Sequence, residues 1–246
     1  MLYSTKYGLF SVYENDVYIV RYFKLGLVYE EDFIIKYLKP LIEQCRVVLD
    51  VGAHIGSHTI TYTSLNPAII VHSFEPQKKV FNLLKQNVLQ NNLEDRVNLY
   101  NVCVGNNCGD AELAINASDD IGPAGPVSYG DNVPRNIGGV SIGKGGEKVS
   151  MISIDSLNLE ICDFIKIDIE GYEPLAITGA MDTIHRCRPV ICFEKNDKTM
   201  PFEEFGLPNN SNIFDMLLPL GYVVYYASVC NYLAFPLEKV NMTYNF

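Results

Sequence analysis

Residues 47–59 read VVLDVGAHIGSHT, and the order of residue types in that stretch decides the fold. An apolar run ends at Asp50 and passes through Val51 into Gly52, and Gly56 follows just before a segment that can start a helix. Uninterrupted apolar residues mark a strand buried on both faces, and a glycine directly after it lets the backbone turn tightly and approach a ligand closely. Strand, glycine turn and helix in succession open a βαβ unit.

The same alternation continues downstream. Residues 68–74 are predicted as a second buried strand, Pro76 stands where a helix starts, and Val80, Leu83, Leu84 and Val88 mark that helix's apolar face. Residues 97–104 read as a third strand. Residues 105–148 are rich in Gly, Asn, Asp and Pro and hold no convincing helix; they form a long insertion, either a substrate-side lid or a pair of surface hairpins. Strands follow at 149–154, 163–168 and 189–194, with helices at 173–185 and 213–218, and two antiparallel strands at 221–227 and 232–235 close the chain. Upstream, residues 2–13 and 17–23 read as two arms of a hairpin broken at Glu14, Asn15 and Asp16, and residues 30–45 as a helix interrupted by Pro40. The expected fold is α/β: a mainly parallel sheet with helices on both faces and an antiparallel C-terminal strand. Residues 1–45 form an N-terminal extension and residues 46–246 the main domain.

Composition narrows the function classes. Against 29 Asp and Glu the chain carries 19 Lys and Arg, a formal net charge of −10 that repels a phosphate backbone, so general nucleic-acid binding is not expected. No stretch is apolar for long enough to span a bilayer, and the first residues, MLYSTKYGLFSVYENDVYIV, lack a secretory pattern, which makes a cytoplasmic location the expectation. The 7 cysteines include no C-x-x-C pair, and Cys103 with Cys108 and Cys187 with Cys192 lack the partners of a zinc site.

Chemistry concentrates where strands end. A dinucleotide fingerprint needs G-x-G-x-x-G, and His54 occupies its middle glycine position, so NAD and an oxidoreductase or epimerase are disfavoured. S-adenosylmethionine carries an ammonium group, a carboxylate and a ribose, and Asp50 beside the exposed backbone donors of the Gly52 turn suits it. Glu75, at the end of the second strand, is placed to accept hydrogen bonds from ribose hydroxyls. The plain structural roles are a helix cap for Asp50 and a solvated acid ahead of Pro76 for Glu75. His54 and His58 have metal-ligand spacing but no acidic third ligand nearby. In DFIKIDIEGYE, residues 163–173, Lys166 and Asp168 interrupt an apolar strand, which is costly unless they pair, and Glu170 and Glu173 follow. Glu194 ends the next strand. Methyl transfer to a hydroxyl needs alignment and a proton acceptor; Asp168 is the first candidate, with Glu170 and Glu194 second. These acids also suit a hard cation, although no obligatory metal is expected.

Taken in order, DVGAHIGSHT, HSFEP, IGGVSI, DFIKIDIEGYE and RPVICFE resemble the FkbM family of methyltransferases over residues 47–194, with little contributed by the N-terminal hairpin or the last fifty residues. The resemblance implies a Rossmann-like class I methyltransferase fold, S-adenosyl-L-methionine as cofactor, and O-methylation of a hydroxyl on a sugar, glycan or other polyhydroxylated small molecule. Methylation of RNA or protein, or a binding module without catalysis, are the alternatives. By the same resemblance Asp50, Gly52, Ala53, His54, Gly56, Thr59 and Glu75 match the cofactor-binding segments, and Lys166, Asp168 and Glu170 the segment beside the transferred methyl. Where the family commonly has asparagine this chain has His54, a bulkier, titratable side chain that is expected to be tolerated while altering cofactor affinity or making it pH dependent.

Overall fold

The computed structural model describes residues 1–114, 138–195 and 200–240. Strands β1 (Leu2–Thr5) and β2 (Gly8–Ser11) form an antiparallel hairpin. The predicted second arm of a larger hairpin is instead helix α1 (Val17–Phe23). Asp16 caps it, accepting from the Ile19 amide at 3.5 Å, and Ile19, Val20 and Phe23 share its buried face. The cap and the core together outweigh the strand propensity of VYIV.

The predicted helix over 30–45 forms in pieces: α2 (Glu31–Phe33), a π-helical turn over Ile34–Leu38, and α3 (Lys39–Ile42) with Pro40 in its first turn. A proline has no N–H to give and crowds the carbonyl four residues before it, and the wider turn accommodates that conflict. After this come β3 (Val47–Val51), α4 (Ser57–Leu65), β4 (Ile70–Phe74), α5 (Lys78–Gln90) and β5 (Val97–Tyr100). The third strand ends sooner than predicted. Asn101 Nδ2 donates to the carbonyls of Glu75 and Pro76, both at 2.9 Å, and the chain turns into β6 (Cys103–Val104) of a second sheet. That sheet is completed by β7 (Gly109–Ala114) and β8 (Gly145–Ile152), in the order β6-β8-β7. The insertion therefore contains an antiparallel ladder, and its residues 115–137 lie outside the described residues.

Next are β9 (Phe164–Ile167), α6 (Glu173–Thr178), α7 (Met181–Cys187), β10 (Val190–Glu194), α8 (Ile213–Leu217), β11 (Tyr222–Ser228) and β12 (Asn231–Pro236). The single helix predicted for 173–185 is divided because Gly179 lies against the Gly105 carbonyl, where a β-carbon would come within 2.0 Å. Asp155 caps the second half from outside, accepting from the amides of Asp182 at 3.0 Å and Thr183 at 2.8 Å.

The main sheet has the order β11-β12-β10-β9-β3-β4-β5, parallel except for β12, which runs against both neighbours. Side chains alternate between two cores: Val48, Val71, Phe164 and Val190 face one, and Leu49, Phe74, Ile165 and Ile191 the other. Continuous apolar strands are thereby buried on both sides. Phe10, Phe23 and Ile34 of the N-terminal extension belong to the first core, so residues 1–45 pack as part of it.

Asn87 fastens that extension. Its buried side chain accepts from the Ser11 amide at 2.7 Å and donates to the carbonyls of Ser11 at 3.0 Å and Ile55 at 2.8 Å. Replacing it with alanine leaves these backbone groups without partners, and Asn87→Ala is expected to lose about 2–4 kcal/mol in urea unfolding. A loss under about 1 kcal/mol would mean that water substitutes for the side chain there.

Candidate active site

At the edge of the sheet where β3, β4, β9 and β10 end, and where the reversed β12 begins, lies a cavity of about 350 Å³. Open parallel sheets place ligand sites beyond the carboxyl ends of their strands. In strand order the wall carries Glu75 after β4, Gly52 after β3, Asp168 after β9, Glu194 on β10 and Asn231 on β12.

On the glycine-turn side, Gly52 has φ of +81°, and a β-carbon on it would stand 1.9 Å from the Asp168 carbonyl oxygen. The turns after β3 and β9 touch, and only glycine fits between them. The amides of Gly52 and Ala53 donate to the Phe74 carbonyl at 3.1 and 2.9 Å, and that of His54 to Glu75 Oε2 at 3.1 Å. These three donors are engaged within the fold, which corrects the sequence expectation of exposed backbone donors at the Gly52 turn. Glu75, only 4% exposed, also takes the Gln77 amide at 2.9 Å, and burial raises its pKa to about 7 against the pull of the two amides. A carboxylate offers about four acceptor positions, so this one keeps capacity for a ligand.

Asp50, Gly56 and Thr59 lie behind this wall. Asp50 is fully buried, with Thr59 Oγ1 donating to its Oδ2 at 2.6 Å and sharing a hydrogen bond with Ser73 Oγ at 2.8 Å. Gly56 is packed against Leu84 of α5. His54 does reach the cavity, with φ of +51°, the left-handed region that asparagine adopts more readily than most residues. Burial, with repulsion from Lys166, lowers its pKa to about 4, so the imidazole is neutral near pH 7 and the expected titration moves to acid.

The other half of the cavity is acidic. Lys166, paired in register with Asp50, extends Nζ to Asp168 Oδ2 at 3.1 Å and to the Gly52 carbonyl at 3.4 Å, and lies 3.8 Å from Asp50 Oδ1. Burial works to lower its pKa, but attraction by Asp168, Asp50 and Glu30 prevails and keeps it protonated. The Asp168 carboxyl is raised by burial and lowered more strongly by Lys166, and ends below its ordinary value. Its hydrogen-bonded neighbour Glu194 is driven the other way by burial and by the charge on Asp168. Of the facing pair, Asp168 is held charged and Glu194 holds its proton. Glu170 lines the cavity, whereas Glu173 uses Oε1 to pin the turn, accepting from the amides of Ile169 at 3.0 Å and Gly171 at 3.1 Å.

Several wall residues carried no sequence signal for this place. Tyr29 and Glu30 come from the N-terminal extension and Asn231 from β12, whereas Val140 and Ile142 belong to the IGGVSI segment of the insertion, which the sequence offers as a substrate-side lid. His58, whose spacing from His54 admits a catalytic or a metal-ligand role, also lines the cavity. Among the described residues no three of His, Cys, Asp and Glu are grouped to hold a metal, and no helix is long and apolar enough to cross a membrane.

The family described as the Methyltransferase FkbM domain matches residues 50–224. The chain belongs to the FkbM methyltransferase family. Membership implies a Rossmann-like fold that binds S-adenosylmethionine, and the match extends some thirty residues beyond the last motif at 188–194, through α8 and into β11. Among solved structures, this FkbM-family chain is similar in fold to the methyltransferase FkbM of Methylobacillus flagellatus KT, at 16% identity and a TM-score of 0.51, over 78% of this chain and 43% of that one. It thus spans less than half the length of that protein. A precorrin-6y C5,15-methyltransferase from Geobacter metallireducens GS-15 aligns at 13% identity and a TM-score of 0.46, over 83% of this chain and 89% of that one. No curated protein sequence matches the FkbM-family chain closely enough to count as a relative.

Proposed function

We propose that this chain is an S-adenosylmethionine-dependent O-methyltransferase acting on a hydroxyl of a sugar, glycan or related polyhydroxylated small molecule. One observation carries this reading: a single cavity joins the Gly52 turn and the buried Glu75 carboxylate to the Asp168–Glu194 pair. The residues fit the cofactor. Ser57 Oγ is buried on the wall without a hydrogen-bond partner among the described residues, and a polar ligand satisfies it, whereas His54 Nε2 faces the buried Asp16 Oδ2 at 3.5 Å. Gly52, Ala53, His54 and Glu75 would hold the cofactor, with Asp50, Gly56 and Thr59 fixing the turn from behind. When bound, the cofactor supplies an electrophilic methyl group.

The chain's own work is to position an acceptor hydroxyl and remove its proton. Asp168, tied to Lys166 and held charged, is suited to accept a hydrogen bond and orient the hydroxyl. Glu194, with its pKa raised to about 8, is the stronger proton acceptor once ionised, so it takes the base role as pH rises through about 8. A net charge of −10 and this acid-rich end favour hydroxyls over a phosphate backbone, which separates the reading from RNA methylation.

Isothermal calorimetry with S-adenosylhomocysteine, with NAD as control, tests the cofactor. Micromolar binding is expected, weakened about tenfold or more in Glu75→Ala, the loss of a charge-assisted contact to a hydroxyl. Because Glu75 titrates at about 7 and a donor hydroxyl favours its charged form, binding near neutral pH is expected to release protons. Titrations in two buffers of unlike ionisation enthalpy read that release. Absence of binding to folded protein would leave the cavity without its assigned ligand and sink the reading.

A further inference from the structure

Across the sheet the cavity is longer than the cofactor half alone. Neighbouring strands lie about 4.8 Å apart, so β4 and β12, four places apart in the order, are separated by roughly 19 Å. At the β12 end, Asn231 Nδ2 donates to Glu30 Oε1 at 2.8 Å and to Ser228 Oγ at 3.1 Å. This orients a carboxylate that comes from the N-terminal extension, outside the family-matched segment 50–224. Glu30 is raised by burial and by the charge on Asp168, with Lys166 and Asn231 opposing.

Beside it His58 forms part of the same wall. It is 6% exposed, and its Nε2 has no hydrogen-bond partner among the described residues; Glu30 Oε2, at 3.6 Å, is too distant to be one. Burial and repulsion from Lys166 lower its pKa to about 3, so the ring is neutral. A buried neutral imidazole with an unused nitrogen next to a carboxylate with an unused oxygen calls for a ligand group that both donates and accepts, which is what a hydroxyl does. Around this end stand Glu30, Asp168, Glu170 and Glu194, and Lys166 is the cationic side chain of the wall among the described residues.

We propose that Glu30, His58 and Asn231 form the acceptor subsite, and that it admits neutral or ammonium-bearing hydroxylated molecules while rejecting phosphorylated and carboxylated ones. The subsite rests on the methyltransferase reading for its purpose and not for its chemistry. Glu30 and His58 bind the acceptor's hydroxyls, Asn231 positions Glu30, and the surplus of carboxylates sets the charge preference. An anionic acceptor meets like charges at close range with no free cation to receive it.

Saturation-transfer NMR tests this with glucosamine, glucose, glucuronate and glucose 6-phosphate, each added to the full chain with and without saturating S-adenosylhomocysteine. Glucosamine is expected to give the strongest signal, glucose a weaker one, and the two anions none. Glu30→Gln keeps the side chain's shape and its contact with Asn231 while removing the charge, and is expected to weaken glucosamine about tenfold, to the level of glucose. Binding of either anion as strongly as glucose overturns the proposal, as does an unchanged ranking in Glu30→Gln or a lack of signal from all four sugars. Failure of S-adenosylhomocysteine to bind would instead overturn the methyltransferase reading, and the sugars added without it still report the charge preference.

Discussion

Lys166→Met is expected to destabilise the protein by about 3–5 kcal/mol at neutral pH, chiefly because it strips the cation from the fully buried Asp50 carboxylate; Asp168, whose side chain is 36% exposed, adds less because solvent screens it. Asp50 has no exposure at all, and Lys166 is the largest influence holding the Asp168 carboxyl below its ordinary value, with Glu194 and His58 adding to it. In the parent protein the depressed Asp168 pKa contributes stability above the carboxyl's unfolded value, lost as pH falls through the folded one. In the variant the Asp50 carboxyl, already raised by burial in the parent, rises further and Asp168 loses its largest depression, so the folded state binds protons more tightly than the parent does and loses stability as pH climbs. The deficit relative to the parent is therefore expected to be large at about pH 7.5 and smaller at about pH 5 in urea unfolding. A deficit under about 1 kcal/mol, or one equal at both pH values, would mean that the three groups do not act as a charged cluster.

Gly52→Ala is expected to rank second, at about 2–5 kcal/mol, from two separable causes. A β-carbon at φ of +81° costs about 1–2 kcal/mol in backbone strain. The 1.9 Å approach to the Asp168 carbonyl adds an overpacking cost of about 1–3 kcal/mol. Gly26→Ala is the control: its φ is +73°, and nothing lies within 4 Å of the added carbon. Only the first cost applies there, so the difference between the two variants measures the contact itself. Since the clash pushes on the backbone that carries Asp168, Gly52→Ala is also expected to weaken S-adenosylhomocysteine binding. Equal destabilisation by the two substitutions would show that the turns after β3 and β9 separate easily.

The central strands were legible because every residue of VVLDV and FIKI has to be apolar or paired when both sheet faces are covered, and few other arrangements accept such runs. Glu75, Asp168 and Glu194 were legible for a related reason: an acid that ends a buried strand stands at the sheet edge where ligand sites form. What stayed hidden depended on contacts distant in sequence. Val17–Phe23 has a strand-like composition and becomes a helix through the Asp16 cap and the core beneath it. Asn101 divides a strand by bonding to Glu75 and Pro76. Asp50 was read as a ligand contact, but Thr59 and Lys166 hold it behind the wall, and motif position alone does not tell a lining residue from its support. Glu30 and Asn231 meet across the fold with no local pattern to announce it.

That last contact joins residues 201 positions apart, and the Ser11–Asn87 bonds join residues 76 apart. Contacts of such long sequence separation are slow to find, since loop closure must precede any gain from them. Residues 11–30 precede α4, α5 and β12 in the chain yet find their seat only after those elements exist. The cavity is therefore among the last features to mature during folding, and a chain whose sheet is already built still lacks part of the cavity wall until residues 11–30 have docked.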